Sequence, residues 1–107
     1  MLVGDPITAV GKSFRTHQFL VDLRREVSVL AKQTAAHLRS AKYRAGRLEV
    51  TLIPESGAVV RRAERLGAPT DDIGLLTLVA QDLLDAIYEP GTKYRELRVV
   101  GEDLAPA

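Results

Sequence analysis

Residues 69–104 combine a clear helix pattern with a clear strand pattern, and every other segment must supply packing partners for these two elements. Pro69 interrupts any preceding element, because its ring removes a hydrogen-bond donor and restricts the residue before it. Thr70 is then placed to cap a helix. The apolar residues that follow at helical spacing are Ile73, Leu76, Val79, Ala80, Leu83 and Ile87. After Pro90-Gly91, residues 94–100 alternate, which predicts a strand with Arg95, Leu97 and Val99 on the inner face.

The preceding segments provide one more helix and three more strands. Residues 9–16 and 47–53 alternate as strands, with Leu48, Val50 and Leu52 inward in the second, and residues 58–66 form a weaker strand. Asp22 is predicted to cap a helix that ends near Ala41, before Gly46. Its buried stripe is Leu23, Val27, Leu30, Thr34 and Leu38.

The resulting order is strand, helix, strand, strand, helix, strand. It predicts an α+β fold, a two-layer βαββαβ sandwich in which two helices cover one face of a four-stranded, mainly antiparallel sheet. With 107 residues, the chain forms one domain over residues 9–107. Residues 1–8 show no periodicity and are predicted to be a linker or a disordered start.

Composition excludes several kinds of protein. The chain contains no cysteine, which rules out disulfides and thiolate metal sites. No apolar run approaches the roughly 20 residues that span a bilayer, so we expect a cytoplasmic protein without a membrane partner. His17 and His37 lack a carboxylate at metal-ligand spacing, and Asp82 and Asp85 are expected to be solvated. No phosphate loop or nucleophile motif is present, so we expect no cofactor and no enzyme activity in this domain by itself.

Charge is segregated along the chain although the net charge is only +1. Residues 71–89 contain five acids and no base, whereas residues 39–65 contain seven bases and three acids, which leaves +4. Arginines that alternate along strands share one face of a sheet, where guanidinium groups and hydroxyls can meet a phosphate backbone. The candidate residues from this pattern are Ser13, Arg15, Arg47, Thr51, Arg61, Arg65 and Arg98. Glu49 and Glu96 on the same face favour the alternative, an open face that is only solvated and does not bind phosphate.

Four short motifs occur in a characteristic order along residues 9–104. They are Gly11-Lys12-Ser13-Phe14, Leu30-Ala31 with Ala36-His37-Leu38-Arg39, Pro69-Thr70-Asp71-Asp72, and residues 94–104 from Tyr94-Arg95 to Asp103-Leu104. Together they resemble the little finger domain of Y-family (lesion-bypass) DNA polymerases, and the ending looks closest to the UmuC-like, ImpB/MucB/SamB branch.

The resemblance implies a reversed ferredoxin-like domain that grips double-stranded DNA at the primer–template backbone, and it adds Lys12 to the candidate DNA-binding residues. It also implies a role in translesion synthesis, DNA repair and the SOS response. The expected partners are the remaining polymerase domains and the sliding clamp, and the magnesium ions belong to the absent palm domain. Two alternatives remain: a ferredoxin-like regulatory or dimerisation domain that binds no nucleic acid, and a structural interaction domain in a larger protein.

Overall fold

The computed structural model describes residues 8–13 and 19–107. The elements follow the predicted order, strand, helix, strand, strand, helix, strand. They are β1 (Thr8–Ser13), α1 (Leu20–Ala41), β2 (Tyr43–Pro54), β3 (Val60–Thr70), α2 (Ile73–Ile87) and β4 (Tyr94–Pro106). The predicted linker over residues 1–8 lies outside the described residues except for Thr8, the first residue of β1, and so does the predicted end of the first strand over residues 14–16.

The four strands form one sheet in the order β1-β4-β2-β3, and each of the three strand pairings is antiparallel. β2 and β4 lie in the centre, where β2 pairs with β3 and β4, and β4 pairs with β1 and β2. β1 and β3 form the edges. This arrangement confirms the predicted two-layer α+β sandwich of the reversed ferredoxin-like type.

Both helices pack on the same face of the sheet and bury one hydrophobic core. The register places Leu48 opposite Gly101, Val50 opposite Val99 and Leu52 opposite Leu97 on this inner face. The stripe predicted for α1 is buried along its length, and the inward strand residues are fully buried. α2 contributes Leu76, Val79, Ala80, Leu83 and Leu84 to the same core. Neither described helix has the length and apolarity needed to cross a membrane.

Polar side chains cross the seam between α1 and α2. Arg24 forms two hydrogen bonds to the Asp85 carboxylate, at 2.9 and 2.5 Å. One α1 turn further on, Gln81 Nε2 donates to Ser28 Oγ at 2.7 Å. Near the other end of α1, Arg39 Nε lies 4.0 Å from Asp71 Oδ1. Along these contacts the residue number on α1 increases from 24 to 39, while the number of its partner decreases from 85 to 71. The two helices therefore run antiparallel. Asp85 is exposed, as predicted, and in addition pairs with Arg24.

The residues that begin the two helices differ from the predicted caps. α1 begins two residues before Asp22, which lies in the first turn, and the N-cap Phe19 makes no side-chain cap hydrogen bond. At α2 the N-cap is Asp72, whose Oδ2 accepts from the Leu75 N–H at 2.8 Å. Thr70 Oγ1 instead accepts from the Asp72 N–H at 3.0 Å, so it orders the turn that precedes the helix.

Three strands, β2, β3 and β4, are longer than predicted, and the alternation is broken near the start of β4. β2 begins at Tyr43, four residues before the predicted start, so Gly46 lies within the strand. In β4 the register changes between the pairs Ile53–Glu96 and Pro54–Tyr94, which leaves Arg95 as an extra residue. Tyr94 therefore returns to the inner face and is 2% exposed, whereas Arg95 is exposed. The predicted inward orientation of Arg95 was wrong because a bulge shifts the alternation.

Candidate nucleic-acid interface

The face of the sheet opposite the helices carries most of the predicted phosphate-binding residues. Side chains in register lie on the same face of neighbouring strands. One row across the sheet therefore contains Arg61, Thr51, Arg98 and Gly11. Four residues earlier along β2, another row contains Arg65, Arg47 and Glu102. Ser13 lies on this same face opposite Glu96.

The row through Thr51 brings two arginines to either side of a hydroxyl. Neighbouring strands are about 4.8 Å apart, so the backbones of Arg61 and Arg98 are separated by about 10 Å. Gly11 leaves space for the Arg98 stem, because a β-carbon there would meet Arg98 Cγ at 3.1 Å. Thr51 is only 7% exposed, so its long cross-strand neighbours limit the access of a ligand to its hydroxyl.

One of the candidate residues lies on the other side of the sheet, and another is outside the described residues. Lys12 pairs in register with the core residue Leu97, and its Nζ lies 2.8 Å from Glu26 Oε2 of α1, so it lies on the helix side. Arg15 falls within residues 14–18, outside the described residues. The remaining six candidates, Ser13, Arg47, Thr51, Arg61, Arg65 and Arg98, share the open face.

Carboxylates pair with three of the four arginines on the open face. Arg65 Nη1 lies 2.8 Å from Asp103 Oδ2, and Arg47 Nε lies 3.5 Å from Glu102 Oε1. Arg98 Nε donates to Glu96 Oε2 on the same strand. Arg61 forms no ion pair within residues 8–13 and 19–107. With Glu49, four carboxylates match the charge of these four arginines.

Sequence reasoning missed two of these acids. A strand pattern extended beyond Val100 would have placed Glu102 on the open face, so alternation contained that part of the signal. Asp103 has a φ of 55°, a left-handed conformation in which alternation does not hold. Ala45 and Leu104 pair with each other and continue the inner face. Each lies three residues from the inward pair Leu48–Gly101, whereas regular alternation requires an even spacing. The alternation is therefore broken at paired positions in both strands.

A shallow groove lies elsewhere, between the β2–β3 turn and the C-terminal end of α2. Its volume is about 370 Å³, and small residues form most of its lining, with Glu89 as the only charged lining residue. Within the described ranges, no group of three or more histidine, aspartate or glutamate residues could hold a metal ion. The open face of the sheet is therefore the better candidate for a functional surface.

Comparison with known proteins agrees with the geometry of the fold. The family model described as the impB/mucB/samB family C-terminal domain matches residues 9–107. No curated protein sequence matches the chain. An insertion ternary complex of Dbh DNA polymerase superposes with a TM-score of 0.79 at 12% identity, over 97% of this chain and 30% of that chain.

Two other solved structures give the same fold. The little finger domain of PolIV, in a complex with the beta-clamp processivity factor, aligns with a TM-score of 0.72 at 14% identity, over 94% of this chain and 90% of that chain. DinB from Sulfolobus solfataricus aligns with a TM-score of 0.74 at 12% identity, over 89% and 28%. The chain thus spans less than a third of these whole polymerases but nearly all of the isolated domain. It belongs to the impB/mucB/samB family as a C-terminal domain, with the fold of the little finger domain of Y-family DNA polymerases.

Proposed function

We propose that this chain is the DNA-gripping domain of a translesion DNA polymerase and that the open face of its sheet holds the duplex backbone. The observation that carries the proposal is the placement of Arg47, Arg61, Arg65 and Arg98 on one face, in a chain of this family. Guanidinium groups bind phosphate oxygens as planar forks, and such contacts fix position without reading base sequence. Arg61 is the first residue expected to engage, because it has no described counter-ion.

The proposal extends to the polymerase that contains the domain. We infer that the parent protein acts in damage bypass, DNA repair and the SOS response in the cytoplasm, and that this domain itself performs no catalysis. Catalytic carboxylates and magnesium would belong to the remaining polymerase domains, which would be partners of this chain. The sliding clamp is a further proposed partner, supported by the complex of the PolIV little finger with the beta-clamp processivity factor.

Duplex binding by the isolated domain is expected to be weak and strongly dependent on salt. Each neutralised phosphate releases condensed counter-ions, which contributes about −0.9 to the slope of log K against log salt concentration. If about four phosphates are engaged, the slope is expected to be about −3.6. Fluorescence anisotropy with a labelled duplex, measured over a series of salt concentrations, gives both the affinity and the slope.

Arginine variants test whether the open face makes the contact. Arg61→Ala combined with Arg65→Ala is expected to weaken binding to all duplex sequences alike and to lower the slope by about 1 per lost contact. Arg61→Ala alone is expected to weaken binding more than Arg65→Ala alone, because Asp103 already neutralises Arg65.

Arg62→Ala provides a matched control on the same strand. Arg62 pairs in register with the core residue Val50, so it lies on the helix side of β3. If the double variant binds like the parent chain with an unchanged slope, or if Arg62→Ala causes an equal loss, the open face is not the DNA-binding face.

A further inference from the structure

Three carboxylates form ion pairs with arginines of the open face. Asp103 pairs with Arg65, Glu102 with Arg47, and Glu96 with Arg98. These pairs involve three different arginines and lie in both rows of the face. A duplex that approaches the face therefore meets arginines whose charge is already matched by the protein.

The position of Asp103 is built into the backbone. Its left-handed φ of 55° is uncommon outside glycine, although aspartate and asparagine tolerate it better than most residues. A β-carbon at Gly46 would lie 3.3 Å from Asp103 Oδ2, so the carboxylate extends over the space that this glycine leaves open. From there it reaches Arg65 at 2.8 Å. The local backbone thus directs a negative charge towards a candidate phosphate-binding arginine.

The side chain of Glu102 is less exposed than that of Asp103. Its Oε1 is buried and accepts no hydrogen bond from the described residues, and Arg47 Nε at 3.5 Å is its ion-pair partner. If Arg47 turned towards a phosphate, this oxygen would keep its charge without that partner, and unpaired buried charge is unfavourable. Glu102 therefore opposes the transfer of Arg47 to DNA.

We propose that Glu96, Glu102 and Asp103 are affinity-determining residues that act as internal counter-ions and weaken the grip of the open face on the duplex backbone. This inference rests on the proposed function. Exposed ion pairs are individually weak and are screened by salt, so a phosphate can replace each carboxylate. The displaced carboxylate stays beside the phosphate and repels it. The face consequently binds the backbone more weakly and releases it more readily than four unpaired arginines would.

Charge-neutralising variants of nearly identical shape test this inference. Asp103→Asn preserves tolerance of the left-handed backbone, and Glu96→Gln and Glu102→Gln preserve side-chain length. Asp103→Asn is expected to strengthen duplex binding at low salt by about two- to fivefold, the range that exposed ion pairs provide. The triple variant is expected to gain about tenfold. Its salt slope is expected to steepen by up to about 0.9 per newly engaged arginine.

Asp82→Asn is the matched control, because it changes the net charge equally on the helix layer, where Asp82 is exposed and forms no described ion pair. It is expected to change affinity by less than about twofold, since its charge lies across the sheet and is largely screened. Thermal unfolding of each variant confirms folding, and Glu102→Gln replaces Asp103→Asn if the latter is unstable.

The outcomes separate this inference from the proposed function. If the parent chain binds duplex DNA through Arg61 but the triple variant binds no better, or if Asp103→Asn gains no more than Asp82→Asn, the counter-ion role is wrong and the DNA-binding proposal stands. If the triple variant binds duplex DNA and the parent chain does not, the counter-ion role is supported. Absence of binding by both the parent chain and the triple variant overturns both proposals.

Discussion

At the scale of single residues, Gly46 permits the close approach of two backbones. A β-carbon at this position would lie 3.0 Å from the Asp103 carbonyl oxygen, a backbone atom that cannot move independently. Gly67 in β3 has no neighbouring atom within 4 Å of its ideal β-carbon. The two glycines therefore allow the same substitution to be compared in a crowded site and in an open site.

Gly46→Ala is expected to destabilise the fold by about 1–3 kcal/mol, because the added methyl group overpacks the contact with Asp103. Gly67→Ala is expected to be neutral or to stabilise by about 0.4–1 kcal/mol, because alanine restricts the unfolded chain. Urea denaturation, with the m-value checked for each variant, measures both changes. Equal stability of the two variants would contradict the close approach at Gly46.

Some of the candidate interface could be predicted from sequence because strands place alternate residues on one face. Arg47, Thr51, Arg61, Arg65 and Arg98 lie on the open face for that reason. The partner acids were harder to predict. Pairing across strands depends on register, which short sequence patterns do not determine, and the reach of Asp103 depends on a left-handed backbone angle that no residue pattern indicates.

At the scale of elements, α2 is apolar around most of its circumference. Leu83 is 3% exposed in the core, whereas Leu78 on the same helix is 57% exposed. The two leucines have the same side chain and nearly the same helix propensity, so they isolate the contribution of burial. Their contrast tests which face of α2 packs against the sheet.

Leu83→Ala is expected to destabilise the domain by about 2–5 kcal/mol, because it removes buried methyl groups and leaves a cavity. Leu78→Ala is expected to change the free energy of unfolding by less than about 0.5 kcal/mol. Chemical denaturation monitored by circular dichroism measures both values. A loss of under half a kcal/mol for Leu83→Ala would mean that the buried face of α2 is assigned wrongly.

Periodicity predicted all six elements, but their ends depended on details that periodicity does not contain. Three adjacent residues, Thr70, Asp71 and Asp72, can each cap a helix, and the backbone geometry selects Asp72. In the sequence, Gly46 was interpreted as the glycine that follows the end of the first helix. The helix ends at Ala41, as predicted, but its C-cap is Lys42, which adopts the left-handed conformation at a φ of 62° without being glycine.

At the scale of the whole molecule, the strand order places the two longest strands in the centre of the sheet. β2 and β4 have paired neighbours on both sides, whereas β1 and β3 each have one. On an edge strand, alternate N–H groups point away from the sheet and remain open to solvent. Protection from solvent should therefore differ between central and edge strands.

Amide hydrogen exchange is expected to be slowest in β2 and in the part of β4 opposite Val50 and Leu52, because opening there requires global unfolding. Amides of β1 and β3 are expected to exchange faster, and about half of them with little protection. Exchange followed by nuclear magnetic resonance distinguishes these groups. Protection of β1 equal to that of β2 would contradict the strand order.

The polar contacts across the helix seam have a mechanical consequence for the opposite face. Sliding α1 past α2 by one turn, about 5.4 Å, would separate Arg24 from Asp85 and Gln81 from Ser28 at the same time. Because the same movement would break both contacts, we expect the helix layer to be rigid and to keep the curvature of the sheet constant. A duplex of altered width would then contact a rigid sheet, and only the rotamers of the arginines on the open face could adjust to the new shape.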